Sequence, residues 1–409
     1  MKTLVRPNGL AGEALVRPHE GRLRIAFLAA RDPNDRRSWS GAHYFMAQAL
    51  AKHCGELTHI VPLRPISAMF GKIAQKAVRR LTGKSYLYTH TDSISRKLGR
   101  MAEQKLARVE CDVIFAPTAS VVLAHLNTQV PIVYTSDATS HLLFDYYPEF
   151  TNVLESHVRL AESMEQAAIA KASQLVYPSS WAAESAVRDY HADPSRISIV
   201  PLGANFENPP SRDEVVPAAK HDRCRLLFVG VEWERKGGDI AIETMVELER
   251  LGVKAALTVV GCASPDRVTH PHVTFIPFIS KNDVEGCARL DRLYRESDFL
   301  LLPTRAECYG IVFCEANAFG MPVLSTRTGG VPDLVRDGVN GFLLPLEARG
   351  DQYAARIRDT YSNATNYQNL RESSRKEFET RLNWDAWGKQ MNIILRNAVA
   401  SSRARQALQ

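Results

Sequence analysis

Two glutamates, Glu307 and Glu315, lie eight positions apart on either side of Gly310. The apolar run Phe299-Leu300-Leu301-Leu302-Pro303 precedes them, and the helix-like run Ala316 to Phe319 follows. A buried strand, a loop and a helix start make the anion site of an α/β protein, because unpaired amides at the helix N-terminus face a phosphate. Glu307, on the loop, can reach a neutral polyol, and Glu315, about one helical turn in, can accept hydrogen bonds from a second diol. Two carboxylates flanking a phosphate cradle suit a sugar-nucleotide, one for the sugar and one for the ribose. Spacing alone favours two ordinary glutamates on a solvated face. The flanks favour the ligand site. Met321-Pro-Val-Leu-Ser-Thr326 predicts a second short strand, and it ends in Gly329-Gly330. Paired glycines after a strand let backbone approach a ligand closely. Asp337-Gly338 and Asn340-Gly341 then mark the turns of a hairpin-like segment.

A second cluster carries positive charge. The strand-like Leu226-Leu-Phe-Val-Gly230 leads through Val231-Glu-Trp-Glu to Arg235-Lys236-Gly237-Gly238. Cations on a loop after a buried strand can offset a leaving diphosphate; the bland alternative is a solvated turn. Together with Tyr177-Pro-Ser-Ser-Trp181 and Val200-Pro-Leu-Gly-Ala-Asn205, these blocks resemble glycosyltransferase family 4, retaining enzymes of GT-B fold. The family pattern is E-x7-E, a strand, a Gly-Gly loop and a D-G-x-N-G-x-L turn, present in order from Glu307 to Leu343. The resemblance covers nearly the whole chain after residue 22.

The resemblance implies two Rossmann-like, doubly wound parallel-sheet halves facing a central cleft. It implies transfer of a hexose from a UDP- or GDP-type sugar-nucleotide to a glycan or lipid-linked acceptor, in surface polysaccharide or glycoconjugate synthesis. It gives Glu307 the donor-sugar hydroxyls, Glu315 the ribose diol and Lys236 the diphosphate. Amides of Cys308, Tyr309, Gly310, Ile311 and Val312, and of Gly329 and Gly330, would complete the donor site, with the base near Pro277 to Ser280. Family members commonly carry an arginine directly after the strand glycine, here Gly230; this chain has Val231, and Arg235 is expected to supply part of that charge. Many also place a histidine in the loop after the strand at Ile132 to Thr135. By spacing from Pro131 this chain has Asp137 there, with His141 four residues later. Front-face attack, with the leaving phosphate taking the acceptor's proton, needs neither an enzyme nucleophile nor a metal. A non-catalytic sugar-nucleotide-binding or regulatory subunit on the same scaffold is the alternative. A nucleotide-sugar epimerase would need acid–base groups at the sugar that cannot be assembled here.

The elements that must position these residues follow from apolar patterning. Residues 1–21 read as a loose leader. Arg24 to Ala30, Thr58 to Leu63, Val113 to Ala116, Ile132 to Thr135 and Gln174 to Tyr177 read as strands between helices, hence a parallel doubly wound sheet over 22–205. Gly41 opens a helix after the small-residue loop Trp39-Ser40-Gly41, where it allows close approach of a diphosphate or acceptor. Ser40 fits a plain helix cap as well. Pro209-Pro210 and Pro217 mark a linker, after which the pattern restarts over 206–384. In the resembled family the last helix, here about 385–400, crosses back onto the first half. The G-x-G-x-x-G fingerprint is absent after the first strand, which argues against a dinucleotide enzyme.

Composition narrows the class. The chain has 409 residues, 45% hydrophobic and 23% charged, and no apolar run near the length of a membrane span. Seven cysteines without C-x-x-C spacing suit reduced, cytoplasmic thiols. His270-Pro-His272 has no evident carboxylate partner, so no metal site is expected. Residues 70–108 hold ten Lys or Arg against Asp92 and Glu103, an excess greater than the +6 of the whole chain. Phe70, Ile73, Ala77 and Leu81 fall at helical spacing inside that segment. Such a basic amphipathic segment fits an anionic membrane surface or partner, or a helix packed on its own half. Nucleic acid is not expected, because no nucleic-acid motif accompanies the charge.

Overall fold

The computed structural model describes residues 21–407 apart from 37, 62, 64–66, 217–220, 266–267 and 269, with backbone only at 67–70 and 72. The expected leader, Gly21 excepted, and Pro217 of the linker lie outside the described residues.

Among the described residues, twelve strands form two six-stranded sheets, and every strand pair is parallel. The first sheet holds β1 (Leu23–Leu28), β2 (Gly55–Ile60), β3 (Val113–Pro117), β4 (Ile132–Thr135), β5 (Gln174–Tyr177) and β6 (Ile197–Ile199), in the order β2-β1-β3-β4-β5-β6. The second holds β7 (Cys224–Val229), β8 (Ala255–Val260), β9 (Val273–Ile276), β10 (Phe299–Leu302), β11 (Val323–Thr326) and β12 (Gly341–Leu344), in the order β12-β11-β10-β7-β8-β9. Parallel sheets covered on both faces need strands that are apolar throughout. Every residue of β3, β4, β10 and β11 is buried accordingly.

The strand order decides where a ligand can bind. In each sheet the chain first winds to one side of the initial strand and then to the other. The crossover helices therefore diverge between β1 and β3, and between β7 and β10. Ligands of doubly wound sheets bind at that switch point, beyond the strand C-termini. The loop after β7 carries Arg235 and Lys236, and the loop after β10 carries Glu307. On the first sheet the corresponding loops carry Trp39 to Gly41 and Thr118.

Seven helices matter below: α1 (Ala42–His53), α2 (Ser67–Thr82), α3 (Glu155–Lys171), α4 (Gly238–Arg250), α5 (Val284–Arg295), α6 (Ile311–Ala318) and α7 (Trp384–Ala407). Helix α7 lies on α1 of the first half. Trp384 stacks on Phe45 at 6.0 Å, and the fully buried Trp387 meets Phe115 edge-on at 5.9 Å. Lys52 and His53 share Asp385, each at 2.7 Å.

One local expectation is corrected. Asp337 to Gly341 forms no hairpin, because β12 runs parallel to β11, pairing Val323 with Gly341 through Thr326 with Leu344. The turn closes by Gly338 N–H donating to Gly341 O at 2.8 Å. The buried Asn340 secures it, accepting from Arg336 N–H at 2.7 Å and donating to Leu334 O at 2.8 Å. Asn-Gly and Asp-Gly report a tight turn; strand direction comes from the crossover that precedes it.

Candidate active site

The loops after β7 and β10 are tied to each other. Arg305 N–H donates to Arg235 O at 2.7 Å, and Arg235 Nη1 donates to Ala306 O at 2.9 Å. Gly237 adopts φ +76°, and a Cβ there would overlap Pro303 O. Glycine is therefore required where the two loops touch. At Gly230 a Cβ would lie 2.9 Å from Lys236 Cγ, so that glycine lets the lysine stem cross the end of β7.

This backbone places Lys236 and Glu307 in a direct ion pair, with both side chains buried. Arg235 Nη1 stands 3.8 Å from the same Glu307 oxygen and also pairs with Glu232. Its guanidinium covers the Tyr147 ring at 4.6 Å. A buried carboxylate survives only with such partners. Glu315, at the start of the second turn of α6, is 2% exposed. It pairs with Lys281 and accepts the Tyr294 hydroxyl at 2.9 Å. Lys281 stands on the loop after β9, next to Ser280, whose hydroxyl accepts the Asn282 N–H at 3.1 Å.

The first half faces these groups. Trp39, Ser40 and Gly41 all have left-handed backbone, with φ of 48°, 54° and 90°. Left-handed conformations at non-glycine residues cost energy and cluster at functional sites. Trp39 Nε1 donates to Asp137 Oδ2 at 3.2 Å. Desolvation pushes the Asp137 carboxyl up to about 6, and the Glu307 charge acts in the same direction. His43, under Trp39, is held neutral: burial lowers it to about 4. Its ring joins Ser38 and Thr118 hydroxyls at 2.8 and 3.2 Å. A Cβ at Gly41 would sit 3.1 Å from Asn205 Nδ2 and 3.3 Å from Arg36 O. That glycine thus accommodates protein contacts as well as a helix start.

Several expected donor-site residues have other duties. His141 stands apart; its exposed ring meets Glu162 of α3 at 3.1 Å, and its N–H goes to Tyr190. The Tyr309 ring turns into the core and donates its hydroxyl to Leu202 O at 2.9 Å, which leaves only its backbone for a ligand. Gly310, at φ +93°, caps α6, and Ile311 and Val312 lie half-buried against the core. Gly329 and Gly330 also make room for the protein itself: a Cβ at Gly329 would overlap Glu307 O, and one at Gly330 would overlap Cys308 O. They seat the Glu307 loop, with Gly330 N–H donating to Glu307 O at 3.2 Å. Val231 is exposed.

The sequence reading missed Tyr146, Tyr147, Lys281 and Tyr294. Tyr146 Oη accepts the Glu307 N–H, and Tyr147 Oη accepts the Cys308 N–H, each at 2.9 Å. Burial and the neighbouring Glu307 push the Tyr147 phenol far above its usual range, so it stays protonated. The Asp145-Tyr-Tyr-Pro148 run was the only trace of this bridge. Ser180 adds a second bridge, donating through N–H and hydroxyl to Asp333 at 3.0 and 2.9 Å. Among the described residues no cluster of three or more His, Cys, Asp or Glu is arranged around a metal position, and no helix is long and apolar enough to cross a membrane. All seven cysteines are free. On α2, Ile73 and Leu81 are 67% and 83% exposed.

Comparison with known proteins agrees with this geometry. The family profile "Glycosyltransferase Family 4" matches residues 44–208, and "Glycosyl transferases group 1" matches residues 212–377. The D-inositol 3-phosphate glycosyltransferase of Mycobacterium sp. (strain JLS) is 31% identical over 201 residues, which span 46% of this chain and 44% of that protein. The enzyme of the same description from Rhodococcus jostii (strain RHA1) is 30% identical over 200 residues, 44% of this chain and 43% of its own. The matched stretch is thus less than half of either relative. Among solved structures, sucrose-phosphate synthase from Thermosynechococcus elongatus aligns with a TM-score of 0.66 at 18% identity, covering 93% of this chain and all of its own. Anabaena HepE in complex with UDP and glucose aligns with a TM-score of 0.59 at 17% identity, over 92% of this chain and all of its own. Both share the fold of two facing Rossmann-like sheets. Two adjoining profiles that together run through both sheets, with the E-x7-E pair at the second sheet's switch point, show that the chain belongs to the family 4, group 1 glycosyltransferases of GT-B fold.

Proposed function

We propose that this protein is a retaining glycosyltransferase that moves a hexose from a UDP- or GDP-type donor to a glycan or lipid-linked acceptor. The observation that carries the reading is the buried Lys236–Glu307 pair at the β7/β10 switch point, with the buried Glu315 one helical turn beyond. Lys236 and Arg235 would offset charge on the departing diphosphate. Glu307 would orient sugar hydroxyls, Glu315 the ribose and Asp137 the sugar from the opposite wall. In front-face transfer the acceptor oxygen bonds to the anomeric carbon as the carbon–oxygen bond to the diphosphate breaks. The acceptor's proton passes to the departing phosphate oxygen, so no side chain is assigned as nucleophile. The protein's own cations meet the diphosphate charge, and the transfer is proposed to run without a metal. Residues near 205 would divide an acceptor half from a donor half. Helix α2, with Ile73 and Leu81 exposed among basic residues, would set the protein on an anionic membrane surface where a lipid-linked acceptor resides.

The test is calorimetric binding of UDP, GDP, ADP and dTDP, then turnover of the sugar-nucleotides of whichever binds. Micromolar binding of one nucleotide with slow hydrolysis of its donor is expected. Glu307→Gln should lower turnover at least a hundredfold with nucleotide affinity nearly unchanged. Binding of none of the four would favour a non-catalytic scaffold.

A further inference from the structure

The wall opposite Glu307 reaches across the cleft with two phenols. Tyr146 and Tyr147 follow the short helix Ser140–Leu143 of the first half, after Asp145 at φ +56°. Their hydroxyls accept two successive amides of the second half, Glu307 N–H and Cys308 N–H, each at 2.9 Å. The Tyr147 hydroxyl also points its proton to Glu307 Oε1 at 3.4 Å. Two hydroxyls on consecutive amides, one backed by a carboxylate, are the contacts that neighbouring hydroxyls of a sugar would make.

The two phenols are held differently. Tyr146 is built in: its ring packs on Trp181 at 5.2 Å and its hydroxyl also meets Thr328 Oγ1 at 3.0 Å. Gly329 makes room for that hydroxyl, which a Cβ would overlap. Among the described residues, the Tyr147 hydroxyl bonds only to the Cys308 amide and the Glu307 carboxylate. Its ring is retained separately, by Arg235 at 4.6 Å and by stacking on Tyr146 at 5.5 Å.

We propose that Tyr147 gates the sugar subsite: its hydroxyl occupies the position of a donor-sugar hydroxyl on Glu307 and Cys308 and is displaced when the sugar-nucleotide binds. The inference rests on the function proposed above. The phenol competes with the sugar and leaves the nucleotide alone, because the Glu315–Lys281 contacts lie elsewhere along α6 and the β9 loop.

Tyr147→Phe keeps the ring over Arg235 and removes the competing hydroxyl. Binding of the nucleoside diphosphate and of its sugar-nucleotide is measured on wild type and variant by calorimetry. The expected result is a Kd for the sugar-nucleotide about three- to tenfold lower in the variant, the worth of one hydrogen bond. The Kd for the nucleoside diphosphate should be unchanged. Tyr146→Phe serves as the structural control, with a lower Tm and both ligands weakened alike. Weaker sugar-nucleotide binding by Tyr147→Phe would make the phenol a direct sugar ligand and overturn the gate. Equal shifts for both ligands, or none, would overturn it as well. If wild type binds neither ligand, the proposed function falls and the gate with it; if wild type binds both and the variant's preference is unaltered, the gate alone falls.

Discussion

The Glu307 carboxylate has more partners than one charge needs: Lys236, Arg235 and the Tyr147 hydroxyl. Such over-determination holds a group in one geometry and lets partners exchange when substrate supplies others. Asp137 shares the same field from across the cleft and shows a consequence in pH. Its carboxyl is raised from 3.8 to about 6, first by desolvation and further by Glu307. Above that value it is ionised and accepts hydrogen bonds from sugar hydroxyls; below it one oxygen is protonated and that capacity drops. Activity is therefore expected to rise with pH through an apparent pKa near 6, read from kcat/KM against pH. In Asp137→Asn that inflection should disappear and the remaining rate should fall at least tenfold. An unchanged profile would show that Asp137 does not touch substrate.

At the scale of elements, the loops are set by what they must not contain. Gly329, at φ +52°, faces both the Glu307 carbonyl and the Tyr146 hydroxyl. Gly329→Ala adds a Cβ that neither neighbour can yield to, since one is backbone and the other is hydrogen-bonded at both ends. Loss of at least a hundredfold in kcat is expected, with a Tm only a few degrees lower, because the overlap lies at the cleft and not in the core. A large drop in Tm with unchanged kcat would contradict this. Helix α2 poses the opposite case, an element with apolar groups left in solvent. Ile73, Ala77 and Leu81 share one face with Lys76, Arg80 and, just beyond the helix end, Lys84, all exposed. Replacing Ile73 and Leu81 with serine should lower co-sedimentation with anionic vesicles at least threefold without changing turnover of a soluble acceptor. Wild-type protein that ignores such vesicles at low salt would remove the membrane assignment.

Over the whole molecule, helix α7 is the strap that joins the chain's end to its beginning. Trp387 is fully buried between Phe115 and Trp384, yet its indole N–H has no hydrogen-bond partner among the described residues. Packing and not polarity retains it. Trp387→Ala should cost about 3–5 kcal/mol and lower the Tm by about 5–10 °C. Trp387→Phe, which keeps a ring and removes the unpaired N–H, should cost less than half as much. Thermal melts of both variants check the pair; equal losses would mean that the indole nitrogen carries the contact.

Much of this architecture was legible from local pattern. Buried parallel strands are largely apolar, so Ile132–Thr135 and Gln174–Tyr177 appear in the structure with the bounds their composition predicts. Glu307, Gly310 and Glu315 were legible because loop, cap and the opening turns of the helix are one short stretch, whose spacing survives folding. The strand β6 went unread, as three half-exposed residues carry too little periodicity. The Asp337–Gly341 turn was recognised but not the parallel strand after it, since a turn's residues do not encode what lies beside the next strand. Tyr146 and Tyr147 reach Glu307 across a separation of 161 and 160 residues, and Lys281 meets Glu315 from another loop. Side chains that pair across such distances leave no spacing to detect. The sequence by itself determined which residues carry charge, which strands are buried and which turns require glycine, because those depend on neighbours along the chain. Only the tertiary structure decided which partners complete the Glu307 site, because the cleft is made where two separately wound sheets meet.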